Sequence, residues 1–247
     1  MKSAMIYQIA EMKKSLLIYY AIMLFLLLAS FLTTEVFFHF SANGTTINGI
    51  EISSMIFIFV CGLNSFKEPF RMFLQNGLSR KTLFLSYLCS LLPVSGVMAI
   101  IDTSIGAIGR SLGSYQSAFH EFYRQYFPAV GPGQVFIVVF ALSLMLYTTS
   151  ALTGYFITSL YYRMSKGLKL LVSIGVPVLL IIVLPIVDMG YANGVISRSI
   201  GEILLLASGV KAGYNPLYPL GSCIILSSVL AGLTYLLQRR AVIKEQV

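Results

Sequence analysis

Apolar residues along this chain collect into six long runs, at 16–38, 50–66, 83–101, 134–161, 169–187 and 216–238, and most of the charge sits in the segments between them. Each run is close to the ~20 residues that an α-helix needs to cross a hydrocarbon core of ~30 Å. In lipid only helices and closed barrels satisfy their own backbone, and runs this long and continuous do not suit barrel strands. The pattern predicts an all-α membrane protein with a single six-span transmembrane domain over 15–240. Ahead of the first run, Met5, Ile9 and Met12 recur at i, i+4 and i+7, with Gln8, Glu11 and Lys13 turned away. Residues 1–14 therefore read as an amphipathic helix at the headgroup level, the alternative being an unstructured tail.

The connections carry their own signals. Asn43-Gly44 marks a tight turn after the first span, and the glycosylation triplet Asn43-Gly44-Thr45 there is of a kind that recurs by chance. Over 67–82, Glu68 and Pro69 suit a helix start, Gly77 a left-handed helix end, and Ser79 a cap for the helix that follows. This predicts a helix of about two turns with Phe70, Phe73 and Leu74 on one face. Exposed aromatics need a cover, and either the headgroup region or another protein would supply it. Residues 114–127 place Tyr115, Phe119, Phe122 and Tyr126 at helical spacing, as for a helix at the opposite interface, ended by Pro128 and Pro132. Between spans five and six, Ile196, Ile200, Ile203, Ala207 and Val210 form an apolar stripe, with Arg198 and Glu202 as an i, i+4 pair. Pro93, Pro177 and Pro185 are placed to kink spans three and five.

Charge orients the spans. Of the 17 Lys and Arg residues, only Arg110, Arg124, Arg198 and Lys211 fall in the segments after spans one, three and five. The rest flank the other ends of the spans, which places both termini and the 241–247 tail in the cytoplasm. With 57% hydrophobic residues, 11% charged and mean hydropathy +0.84, the composition excludes an ordinary soluble domain, which carries about a quarter charged residues. The net charge of +8 lies in short loops without a basic stripe on polar surface, so it reads as topology and attraction to membrane lipid rather than nucleic-acid binding. Cys61, Cys89 and Cys223 fall in or beside apolar runs and read as small buried hydrophobes.

Catalytic patterns are sparse. His39 and His120 both lie off the spans, no residues cluster at metal-ligand spacing, and no phosphate-binding Gly-x-x-x-x-Gly-Lys-Ser/Thr loop occurs. The chain is expected to be no enzyme and to hold neither metal nor cofactor. Glu35, Glu51, Asp102 and Asp188 sit near the outer span edges, as a solvated rim or as groups for cation contact or gating. Ser143, Tyr147, Ser150, Gly154 and Thr158 share a face of span four, which serves either tight helix packing or a polar translocation surface.

The stretch Phe70-Arg71-Met72-Phe73-Leu74-Gln75-Asn76-Gly77-Leu78-Ser79-Arg80-Lys81-Thr82-Leu83-Phe84 resembles the segment between spans two and three of bacterial ABC-2-type transporter permeases, in which an Arg-aromatic segment precedes Gln-Asn-Gly-x-Ser-Arg-Lys. The resemblance covers about 15 residues in motif and most of the chain in layout. It implies a permease subunit of an ATP-driven exporter in the bacterial cytoplasmic membrane. The 67–82 segment would be its coupling loop, docking through Phe70, Arg71, Phe73, Leu74 and Gln75. Residues 1–14 would be its elbow helix and 196–210 its re-entrant outer helices. Two ATP-binding subunits, holding ATP and Mg, would pair with two six-span subunits, identical or paralogous. The cargo would be hydrophobic or amphipathic, a peptide, an antimicrobial or a lipid-like molecule. The rival readings are a substrate-capture subunit of a vitamin importer and a non-transporting regulatory membrane protein.

Overall fold

A computed structural model describes residues 2–37, 47–111, 115–191 and 194–239. His39, the Asn43-Gly44 turn, the 241–247 tail and the side chains of Glu35 and Tyr115 lie outside the described residues. Helices dominate: α1 (Lys2–Phe37), α2 (Ile50–Asn64), α3 (Lys67–Gln75), α4 (Arg80–Ser111), α5 (Ala118–Phe122), α6 (Pro132–Arg163), α7 (Lys166–Val178), α8 (Leu184–Tyr191), α9 (Val195–Ala207) and α10 (Leu217–Arg239). Six helical segments are long and apolar enough to cross a bilayer, at Lys2–Ala29, Ile50–Gln75, Arg80–Ser111, Pro132–Arg163, Lys166–Gly190 and Leu217–Arg239. The chain is thus built as a multi-pass membrane protein.

The centre of the bundle is α6, which packs against α2, α10 and α4, while α1 lies along α4. Two glycines set the tightest crossing. A Cβ on Gly62 would stand 2.2 Å from the Ala151 carbonyl oxygen, and one on Gly154 would stand 2.3 Å from that of Phe59. The α2 and α6 backbones therefore touch, as small residues at a helix interface allow. Thr158 closes the same crossing by donating to the Leu63 carbonyl at 2.7 Å.

Among the described residues, the stretch ahead of the first apolar run is continuous with it. Between Lys2 and Phe37 there is neither Gly nor Pro, and α1 runs unbroken through 36 residues. Its buried face near the start is Ala4, Gln8 and Met12, one step round from the expected stripe. Gln8 turns inward because Ser90 Oγ donates to its Oε1 at 3.3 Å. In the fifth span Pro177 lacks an N–H for the carbonyl one turn back, and a π-helical turn at Leu179–Val183 follows before α8. This span stands apart from the bundle, with nearly all its apolar side chains exposed; Tyr161 and Ser173 share a hydrogen bond of 2.9 Å near its start. Cys89, expected to be buried, is exposed on α4.

At the end of the molecule that holds the α4 C-terminus, two-residue strands β1 (Ile47–Asn48) and β2 (Tyr115–Gln116) pair in parallel, Ile47 opposite Tyr115. The helix expected over 114–127 is shorter than its aromatic spacing suggested. After α5 the chain turns at Tyr123 into a single 3₁₀ turn, Phe127–Ala129. Tyr123 and Phe127 are the aromatics that reach the core there, packing with Val135, Val139 and Leu142.

Candidate functional site

Two places bring together the residues that the sequence singles out. The first is the end of the bundle that carries the α1 N-terminus, α3, and the C-termini of α6 and α10. It is called the basic end here, since Arg80, Arg163 and Arg239 lie there. α3 forms as its sequence dictates. Gly77 sits at φ +77°, the left-handed conformation that suits glycine. Leu78 N–H donates to the Phe73 carbonyl at 3.0 Å, and Gly77 N–H to that of Leu74 at 3.1 Å, so the last turn is closed. Ser79 Oγ then accepts from Thr82 N–H at 3.2 Å, capping α4.

The side that α3 buries corrects the expectation of an exposed aromatic face. Phe70 is 0% exposed and Phe73 6%. Phe70 stacks on Phe66 at 4.9 Å and meets Tyr162 edge-on, while Phe73 meets Tyr7 of α1 edge-on at 5.5 Å. Two rings of this size gain more from the bundle interior than from the headgroup region, and the start of α1 and the end of α6 supply the walls. Arg71 and Leu74 are half-buried, and Gln75 is exposed with Lys67, Glu68 and Asn76. The aromatic column continues inward: Phe66 meets Tyr155, which stacks on Tyr87 at 3.8 Å and accepts from Gln238 Nε2 at 2.6 Å. These rings tie α3 to α6 and α4, and Gln238 joins α10 to them through the Tyr155 hydroxyl. Beside it a narrow cleft of about 80 Å³ carries Gln8, Glu11, Asn64 and Ser65.

The second place lies towards the opposite end, around Asp102 of α4. The carboxylate is 2% exposed. Tyr147 of α6 donates to Oδ2 at 2.5 Å, and Tyr20 of α1 donates to Oδ1 at 2.9 Å. Tyr19 adds a hydrogen bond to Ser54 of α2 at 3.0 Å. Among the described residues no Lys, Arg or His makes an ion pair with Asp102, so hydroxyls from other helices, the phenols of Tyr147 and Tyr20 together with Ser54, provide its stabilisation. Glu51, 4% exposed, accepts from Ser117 Oγ at 2.5 Å and so fastens the start of α2 to the segment before α5. Asp188 is covered as well, and both of its oxygens accept backbone N–H groups of Ile196 and Ser197 at 2.8 Å. It caps the N-terminus of α9 from the preceding helix α8, where the helix dipole favours a negative charge. A solvated rim is therefore not what Glu51, Asp102 and Asp188 form: each is buried and hydrogen-bonded.

On α6, Ser143 is buried and donates to the Val139 carbonyl, Tyr147 reaches Asp102, Ser150 is half-buried, and Gly154 and Thr158 lie against α2. This face is packed inside the subunit. Glu202 pairs with Lys211 at 3.4 Å rather than with Arg198. Arg110 sets its guanidinium against the ring nitrogens of His120, and the ring stacks on Phe127 at 4.4 Å. Burial, and then the Arg110 charge, hold His120 down at about 4.

Sequence reasoning missed Tyr20, Tyr155 and Gln238. Each is a polar side chain within an apolar run, and that isolation was the available signal, since such a group needs a partner in the bundle. No family model matches the chain, and no curated protein or solved structure matches it either.

Proposed function

We propose that this chain is the membrane-spanning subunit of an ATP-driven exporter, worked by a separate ATP-binding subunit that docks on α3. One observation carries the reading. A short helix between spans two and three is fastened to the bundle by Phe70 and Phe73, while Lys67, Glu68 and Gln75 stay exposed at the basic end. A helix that hung loosely would absorb a push. One whose rings are wedged against α1 and α6 passes a rigid-body displacement to the spans. The docking surface is then Arg71, Leu74 and Gln75 with their exposed neighbours, and Phe70 and Phe73 anchor it from behind.

ATP binding closes two such partners on each other, and α3 of each permease subunit follows, shifting the spans towards an outward-open arrangement. The fifth span, left uncovered by its own subunit, is free to meet a second six-span chain. The absence of any charged side chain between Lys169 and Asp188 suits a hydrophobic or amphipathic cargo. The test is co-purification. An ATP-binding subunit should come down with the wild-type chain, and the paired substitution Arg71→Glu with Gln75→Trp should release it while the unfolding temperature stays unchanged. Undiminished association and ATP-driven export in that variant would refute the docking surface.

A further inference from the structure

At the basic end, the last turns of α6 and α10 run parallel and leave a cleft of about 460 Å³ between them. Its walls are Phe156 and Leu160 of α6 and Leu233 and Leu237 of α10, and the charged groups lining it among the described residues are Arg163 and Arg239, the terminal residues of the two helices. Apolar walls lie along the spans and two guanidiniums stand at their ends, an arrangement that suits an amphiphilic ligand with an anionic end. Arg80 Nη1 donates to the Arg239 backbone carbonyl at 2.8 Å and so ties the start of α4 to the end of α10.

We infer that this cleft is a binding site for a single anionic phospholipid, with acyl methylenes against the leucines and the phosphate between Arg163 and Arg239. Guanidinium and phosphate match as planar donor fork and oxygen acceptors. Basic pockets between spans at a membrane surface take anionic headgroups, and the two arginines make this one selective over the general attraction of a basic surface. The inference needs only the membrane-spanning bundle and stands whether or not α3 docks an ATPase.

The full-length chain in detergent, titrated with phosphatidylglycerol or phosphatidylcholine of the same acyl chains and read by native mass spectrometry, tests it. One phosphatidylglycerol should bind per chain ahead of any phosphatidylcholine. Glycerol phosphate, which has the headgroup charge without the chains, should fail to displace it. Neutralising both arginines (Arg163→Gln, Arg239→Gln) should weaken that binding roughly thirtyfold, at about fivefold per cation near the surface. Removing two nearby charges outside the cleft (Lys166→Gln, Lys169→Gln) should weaken it far less than the arginine pair does. Leu233→Trp fills the cleft with both charges intact and should also displace the lipid. Equal binding of the two lipids, or full phosphatidylglycerol affinity in either the arginine pair or Leu233→Trp, overturns the inference.

Discussion

Gly154→Ala and Gly62→Ala test the closest approach in the molecule. The added methyl on Gly62 would fall about 0.8 Å short of the 3.0 Å that real Cβ contacts respect, and the atom it meets is the Ala151 carbonyl oxygen, which cannot swing aside. On Gly154 it meets the Phe59 oxygen at 2.3 Å and the Leu63 nitrogen at 2.9 Å. The α2 and α6 backbones must part to admit either methyl, and overpacking of this kind costs about 1–3 kcal/mol. Separation also stretches the Thr158–Leu63 hydrogen bond, a further ~1 kcal/mol. Alanine's better helix propensity gives back about 1 kcal/mol, so a net loss of about 1–3 kcal/mol is expected for each. For a chain of this size that lowers the thermal midpoint by roughly 2–12 °C. Gly232→Ala is the control: a Cβ there meets nothing within 4 Å, so only the propensity gain remains and the midpoint should hold or rise. The assay is thermal unfolding of the detergent-solubilised chain, with thiol labelling of half-buried Cys61 as a local probe after Cys89 and Cys223 are changed to Ser. Gly154→Ala and Gly62→Ala should speed labelling at Cys61, and Gly232→Ala should not. A variant at either crossing glycine that is as stable as wild type would refute backbone contact between α2 and α6.

Two other outcomes are expected. Asp102→Ala leaves the phenols of Tyr20 and Tyr147 buried without their acceptor and should destabilise the chain by roughly 2–6 kcal/mol, whereas Tyr147→Phe should cost about 1.5–3 kcal/mol; unfolding in denaturant measures both, and an Asp102→Ala variant of wild-type stability would contradict the cluster. His120 has a folded-state value of about 4, below its ordinary 6.5, so the neutral ring is favoured on folding. The stability it contributes is fully present above about 6.5 and is lost as pH falls through about 4. Thermal midpoints measured across that window should fall more for wild type than for His120→Phe, and parallel curves would count against the Arg110–His120 contact.

The span pattern, the extent of α3, its end at Gly77 and the cap at Ser79 were legible in the sequence because each depends on neighbours within a few residues. Hydropathy over twenty residues decides what can enter lipid, and a glycine at a left-handed position ends a helix whatever lies across from it. Which side of a helix faces inward is different. Phe70 and Phe73 look exposed on a polar loop until Tyr7, Phe66 and Tyr162 close around them, and Gln8 looks solvent-bound until Ser90 meets it. Asp102 reads as a rim acid until Tyr20 and Tyr147 converge on it from helices 82 and 45 residues away. The sequence by itself determined how many helices of this chain are long and apolar enough for a membrane and where α3 ends. Only the tertiary structure decided which polar groups are buried, because a hydrogen bond between distant helices leaves no periodic trace in either one.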